Sequence, residues 1–289
     1  METAMTRPCL DAGPGLRYHA VAMGDELTDH ERARYDRQLK LPELGEEGQA
    51  RLAAARVLVV GAGGLGSPAL YYLVGAGVGH VTLIDHDRVD VSNLHRQILH
   101  GSSDVGRPKH ESAAETLADL NPEVVLETLG ERLTPDNAVA LAKQHDLLIE
   151  ATDGFDNKFL CNDAAVIAGK PLVTAGVLRW EGQILTVTPR QSACYRCLFV
   201  EPPRPESVAS PAEAGLIGTA PAVLGALQAT EALKLLLGAG QLLHDRLLVV
   251  DLLGMEFREV EVRRDPSCAV CGDSPTITGL TPSLYRRDA

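Results

Sequence analysis

The chain has 289 residues, 45% of them hydrophobic and 23% charged, the composition of a folded globular protein with enough apolar surface for a sizeable core. Acidic residues outnumber basic ones 39 to 27, and the resulting net charge of −12 argues against a nucleic-acid partner. No apolar run approaches the roughly 20 residues of a membrane span, and residues 1–23 lack the basic-then-apolar order of a secretory signal, so a cytoplasmic location without a membrane partner is expected.

Residues 1–24 contain Gly and Pro without periodicity and read as a flexible N-terminal extension. Thr28 and Glu31 have capping-box spacing and open a helix to about Leu39 that carries Arg34, Arg37 and Gln38; a second helix is expected over 44–54. Short apolar runs at 57–60, 81–85, 124–129, 146–151 and 172–175 then alternate with helical stretches at 67–75, 108–120, from Thr134-Pro135, and from about Asp156 to a stop at Gly169. Strands alternating with helices of this length predict a doubly wound, Rossmann-like α/β fold with a mostly parallel sheet. Beyond about residue 180 the pattern changes. Strands at 184–188, 247–251 and 257–263 surround one long apolar helix at 219–237, buried either in the core or at a subunit contact. Prolines at 202, 203, 205 and 211 mark an irregular crossing loop.

Gly61-Ala-Gly63-Gly64-Leu-Gly66 stands directly between a predicted strand and a predicted helix. Glycines there allow a tight turn and close backbone approach, and the helix N-terminus offers amides to a phosphate. Asp85 ends the next strand, where an acidic side chain accepts hydrogen bonds from ribose hydroxyls. These features alone also suit a dinucleotide dehydrogenase. Arg96, in Ser92-Asn93-Leu-His-Arg96-Gln97, and Lys109, in Gly106-Arg-Pro-Lys109, follow that strand and can converge on the same crevice. Two cations there suit a triphosphate and its leaving pyrophosphate better than hydride transfer; read locally, each is also compatible with a solvated surface charge. Asp153 lies just beyond the carboxyl end of a strand, as a Mg²⁺ ligand or as the N-cap of the next helix. The nine histidines read as surface or supporting groups, with no catalytic role assigned.

The six cysteines are Cys9, Cys161, Cys194, Cys197, Cys268 and Cys271. The last four form two Cys-x-x-Cys pairs, which in a reducing compartment read as a closed tetrahedral zinc site, structural because it has no open position. Cys161 falls inside a predicted helix as a small buried hydrophobe.

These stretches, together with Arg34-Tyr-Asp-Arg37-Gln38, Ala-Thr-Asp153, Cys194-Tyr-Arg-Cys197, Glu213-Ala-Gly-Leu-Ile-Gly218, Leu227-Gln-Ala-Thr-Glu-Ala-Leu-Lys234 and Cys268-Ala-Val-Cys271, occur in the order of a known family. Over about residues 27–272 the chain resembles the sulfur-carrier-protein adenylyltransferases of the ThiF/MoeB/HesA type, relatives of ubiquitin-activating enzymes. The resemblance implies one adenylyltransferase domain over 25–272, with a nucleotide-binding half at about 55–176, a zinc-tied, carrier-binding part at about 177–272, and a tail at 273–289. It implies ATP, Mg²⁺ and Zn²⁺. In this reading Gly61, Gly63, Gly64 and Gly66 cradle the nucleotide, Asp85 holds the ribose, Asn93, Arg96 and Lys109 contact phosphates, and Asp153 binds Mg²⁺. Arg37 reaches the partner's site in a homodimer. The implied reaction joins the C-terminal glycine carboxylate of a small ubiquitin-like carrier ending in Gly-Gly to AMP.

Two departures matter. Pro211 occupies the place of a loop cysteine that many members use for a covalent intermediate, so adenylation without an enzyme-linked thioester is expected, with sulfur supplied by a separate donor protein. Gly154 stands where the family usually has Asn, which removes an amide beside the nucleotide. A non-catalytic nucleotide-binding interaction subunit is the competing reading, and the retention of Arg37, Arg96, Lys109 and Asp153 argues against it.

Overall fold

The computed structural model describes residues 27–203 and 214–285. The expected extension at 1–24, with Cys9, and the substitution at Pro211 lie outside the described residues.

The chain opens with α1 (Asp29–Leu39) and α2 (Gly45–Ala54). Thr28 caps α1 by the reciprocal pattern read from the sequence: its hydroxyl accepts the Glu31 N–H, and the Glu31 carboxylate accepts the Thr28 N–H at 2.7 Å. Then follow β1 (Arg56–Val60), α3 (Gly66–Gly75), β2 (His80–Ile84), α4 (Lys109–Leu120), β3 (Val125–Leu129), α5 (Ala138–Lys143), β4 (Leu147–Glu150), α6 (Phe155–Ala168) and β5 (Leu172–Leu178). The remainder is β6 (Glu181–Val187), the short α7 (Tyr195–Leu198), α8 (Thr219–Leu237), β7 (Arg246–Asp251) and β8 (Glu256–Glu261).

The strands form one sheet in the order β3-β2-β1-β4-β5-β6-β7-β8. Pairing is parallel from β3 to β5 and antiparallel from β5 to β8, so the expected doubly wound sheet continues without a break into the C-terminal extension. Strand order reverses between β1 and β4, which opens a crevice at their carboxyl ends. Side-chain alternation along β1 divides the core: Val57 and Val59 join the cluster under α2, α3, α4 and α8, while Leu58 and Val60 join the one under α5 and α6.

The structure corrects two expectations and, for a third element, agrees with one of the two alternatives the sequence left open. The helix expected from Thr134 begins at Ala138, because the Asn137 side chain folds back to accept the Thr134 N–H at 2.7 Å and holds 134–137 as a turn. β5 and β6 are longer than their apolar cores and meet in a hairpin pairing Leu178 with Glu181. Its turn uses Arg179, at φ +56°, and Trp180 rather than an Asn-Gly signal, so the sequence conceals it. Third, α8 is long and apolar enough by length and composition to cross a membrane, yet 56% of its most apolar window is buried inside the chain. It packs against α3, β5 and β6, the core alternative of the sequence reading.

Candidate active site

A cavity of about 430 Å³ opens at the carboxyl ends of β1, β2, β4 and β5. Its wall brings together Gly61, Gly63, Gly64, Asp85, Arg96, Lys109 and Asp153. The loop after β1 has the shape its glycines permit. Gly61 sits at φ +101°, and a Cβ on Gly66 would lie 1.9 Å from the Gly61 carbonyl oxygen. Gly66 therefore lets α3 close on the loop and is not itself part of the wall.

Asp85 is almost buried and holds the loop in place. Its Oδ2 accepts the Ala62 N–H at 2.7 Å and its Oδ1 accepts the Asp87 N–H at 2.8 Å, tying the end of β2 to the glycine loop. A carboxylate has about four lone-pair sites, so acceptor capacity remains for a ligand. From behind, His100 Nε2 lies 3.1 Å from the Ala62 carbonyl oxygen and its Nδ1 2.8 Å from Ser112 Oγ. Burial lowers the pKa of His100 below the ordinary imidazole value, so the pattern is that of a neutral ring donating from Nε2 and accepting at Nδ1.

Both cations line the same cavity, and Arg96 lies against the loop, its Cγ 3.6 Å from where a Cβ on Gly64 would be. Lys109 opens α4 with its amine 3.2 Å from Asp87 Oδ2, and Arg96 is held by its own turn through a 2.9 Å bond from Nη1 to the Ser92 carbonyl. Asn93 does not reach the wall. Its carbonyl accepts the N–H groups of Arg96 and Gln97 at 3.0 and 2.9 Å, so it shapes the turn that presents them. Arg37 lies on α1 with a side chain 91% exposed, outside the cavity of its own chain.

Asp153 follows β4. The N-cap of α6 is Gly154, and no side chain caps that helix, which removes the capping alternative for Asp153. Asn157, one turn along α6, also lines the cavity and places its amide nitrogen 3.7 Å from where a Cβ on Gly154 would be. The loop is clamped by two residues that sequence reasoning passed over. Glu150, fully buried, accepts the Thr152 N–H (2.8 Å) and hydroxyl (2.6 Å) at Oε1, and Lys158 Nζ (2.7 Å) and the Thr174 hydroxyl (2.8 Å) at Oε2. Lys158 also donates to the Thr152 carbonyl at 3.0 Å and the Ala175 carbonyl at 2.5 Å. The signal available was only a charged residue at the end of an apolar strand run; the lysine stands beyond a loop, one turn into α6, where nothing in the sequence marks it as the partner.

The four paired cysteines converge as expected. Cys194 Sγ is 3.6 Å from Cys268 Sγ and 3.9 Å from Cys197 Sγ, and Cys197 Sγ is 3.4 Å from Cys271 Sγ; none is in a disulfide. Zinc bonded to sulfur at about 2.3 Å keeps its four ligands about 3.8 Å apart, so this cage fits a tetrahedral ion. The Asp265 N–H donates to Cys197 Sγ at 3.4 Å. Cys161 is buried, as expected, and burial pushes its thiol pKa well above the ordinary range.

A mostly parallel run of strands with a glycine loop at its switch point, two cations and a carboxylate around one cavity, and a separate thiolate cage together fit a nucleotide-binding protein. Residues 35–270 match the model of the ThiF family. The chain is 51% identical over 254 residues to the sulfur carrier protein adenylyltransferase of Thermus thermophilus, covering 86% of this chain and 94% of that one. It is 46% identical over 275 residues to the mouse adenylyltransferase and sulfurtransferase MOCS3, covering 95% of this chain but 59% of that one. Among solved structures, Escherichia coli MccB with AMPCPP and MccA superposes at a TM-score of 0.73 and 23% identity, covering 84% of this chain and 74% of that one, a likeness of fold. The chain belongs to the ThiF family.

Proposed function

We propose that this enzyme uses ATP to adenylate the C-terminal glycine carboxylate of a small ubiquitin-like sulfur-carrier protein, releasing pyrophosphate. The observation that carries the reading is the convergence of Arg96 and Lys109 on the glycine-loop cavity. Oxygens of a triphosphate are the ligands such an arrangement fits. The carrier's carboxylate is already ionised at neutral pH, so the reaction requires alignment and charge stabilisation but no general base. Its oxygen attacks the α-phosphorus, the bond to pyrophosphate breaks, and an acyl-adenylate forms. Arg96 and Lys109 oppose the negative charge that collects on the leaving group. Asp153 is the residue that would hold Mg²⁺, which when bound neutralises phosphate charge.

The same reading assigns Arg37 to the partner's site in a homodimer, zinc to the cage of Cys194, Cys197, Cys268 and Cys271, sulfur delivery to a separate donor protein acting on the adenylate, and a cytoplasmic setting. It includes no enzyme-linked thioester: Pro211 stands at the usual cysteine position, and Cys161 is too buried, with too high a thiol pKa, to act as a nucleophile.

ATP–pyrophosphate exchange tests the proposal. Exchange should require a carrier ending in Gly-Gly, and Asp153→Ala should abolish it with the melting temperature retained; absence of exchange with every carrier encoded beside the gene would sink the reading. Mass spectrometry after turnover should find no covalent carrier adduct on Cys161 or Cys9.

A further inference from the structure

Tyr195 lies between two cage cysteines, and its position is fixed from several sides. Its N–H donates to Asn162 Oδ1 on α6 at 2.8 Å, and its ring packs edge-on against Phe159 at 5.1 Å and tilted against Phe199 at 4.9 Å. The next residue, Arg196, forks onto Asp163 through bonds of 2.8 Å from Nε and 2.7 Å from Nη2, and the Tyr285 hydroxyl donates to the same carboxylate at 2.9 Å. A ring this well held has a defined direction. Tyr195 is 4% exposed, its hydroxyl has no hydrogen-bond partner among the described residues, and the residue lines the cavity. Buried hydroxyls in native proteins are generally paired, so an orphan at a cavity wall marks the place of an incoming acceptor.

The position favours one acceptor over the other. The glycine loop, Asp85, Arg96 and Lys109 gather around β1, β2 and α4. Tyr195 instead rests on α6, beside β4 and β5, and is reached in the chain directly from β6. Strands lie about 4.8 Å apart, so β5 is about 10 Å across the sheet from β1. The cavity wall on this side includes Gly176, Val177, Leu178, Gly182 and Val249 with the carboxylate of Glu181, and the Lys158 amine there is already committed to Glu150, Thr152 and Ala175, so this lining suits an extended peptide and offers a triphosphate no free cation.

We infer that Tyr195 is a substrate-contact residue whose hydroxyl donates a hydrogen bond to the peptide tail of the carboxylate substrate. The metal-binding turn then does more than close the fold, because it also aims a donor into the site. This inference rests on the adenylation reading above.

The test is Tyr195→Phe, assayed by ATP–pyrophosphate exchange with a small carrier protein ending in Gly-Gly. Loss of one neutral hydrogen bond should raise the KM for the carrier by about 3- to 10-fold. The KM for ATP, the affinity for a non-hydrolysable ATP analogue and the bound-metal content should stay unchanged. The melting temperature should not fall, since the hydroxyl has no partner to abandon in the free protein. An unchanged carrier KM would overturn the inference while leaving adenylation intact. A rise confined to the ATP KM would overturn it too, assigning the hydroxyl to the nucleotide. A wild-type enzyme with no exchange at all would overturn both readings.

Discussion

Lys158 and Glu150 form an ion pair with side chains 7% and 0% exposed, and the acceptors around the amine come from β4, the loop after it and β5. Removing one partner leaves the other charge buried without compensation. Lys158→Met should therefore lower stability by roughly 3–5 kcal/mol in chemical denaturation, and adding Glu150→Gln should recover part of that loss. If Lys158→Met unfolds at the wild-type midpoint, the pair contributes nothing to the fold. The contrast with the motif residues shows how far sequence reading reaches at this scale. Asp85, Arg96, Lys109 and the cysteines stand out because their chemistry is local to a glycine loop, a helix start or a two-residue spacing. Glu150 sits inside an apolar run and Lys158 inside a helix, and neither position reveals that the fold brings them to 2.7 Å. Tyr195 is hidden in the same way, as one of two residues between a pair of cage cysteines.

At the scale of elements, two buried histidines and one half-buried one each pin one piece of structure to another. His100 supports the glycine loop, His145 joins α5 to β2 through Leu141 O and Thr82 Oγ1, and His244 Nε2 lies 2.8 Å from Thr188 Oγ1 after β6. Burial lowers the pKa of all three. The unfolded chain, with histidines near the ordinary value of about 6.5, binds protons that the folded chain refuses. Stability contributed by these groups is thus complete above about pH 6.5 and is lost as pH falls below it. The melting temperature should drop between pH 7 and pH 5, with metal content followed in parallel, and His145→Gln should flatten the slope. Carboxylates with lowered pKa values, such as Asp104 through the Gly101 N–H, act in a lower window, near and below their ordinary value of about 3.9. Element boundaries follow the same lesson as the residues. The capped helix α1 and the apolar α8 are readable from their own sequence, whereas the β5–β6 hairpin depends on a turn at Arg179 with no turn signature.

At the scale of the molecule, one sheet runs from the nucleotide loop to the C-terminal strands, and the cysteine cage joins residues 194–197 to 268–271. Elemental analysis should find close to one zinc per cage. Stripping it with a strong chelator should lower the melting temperature and increase proteolysis after β8; a metal-free protein of unchanged stability would remove zinc from the account. The proposed dimer makes a separate prediction. Arg37 is exposed and outside its own cavity, so mixing inactive Arg37→Ala with inactive Asp153→Ala should restore exchange through hybrid dimers holding one intact site. No recovery after subunit exchange would place Arg37 outside the chemistry.

The cage also has a place in time. Chain order puts β1 to β5, and with them the glycine loop and Asp153, ahead of β6 to β8, while Cys268 and Cys271 emerge after β8. A nascent chain halted short of Cys268 already has its nucleotide loop but cannot close the ring that holds Tyr195. Metal capture by the cage would then follow synthesis of the whole sheet, and the side of the cavity away from the nucleotide loop would take its final form only after Cys268 and Cys271 have been made.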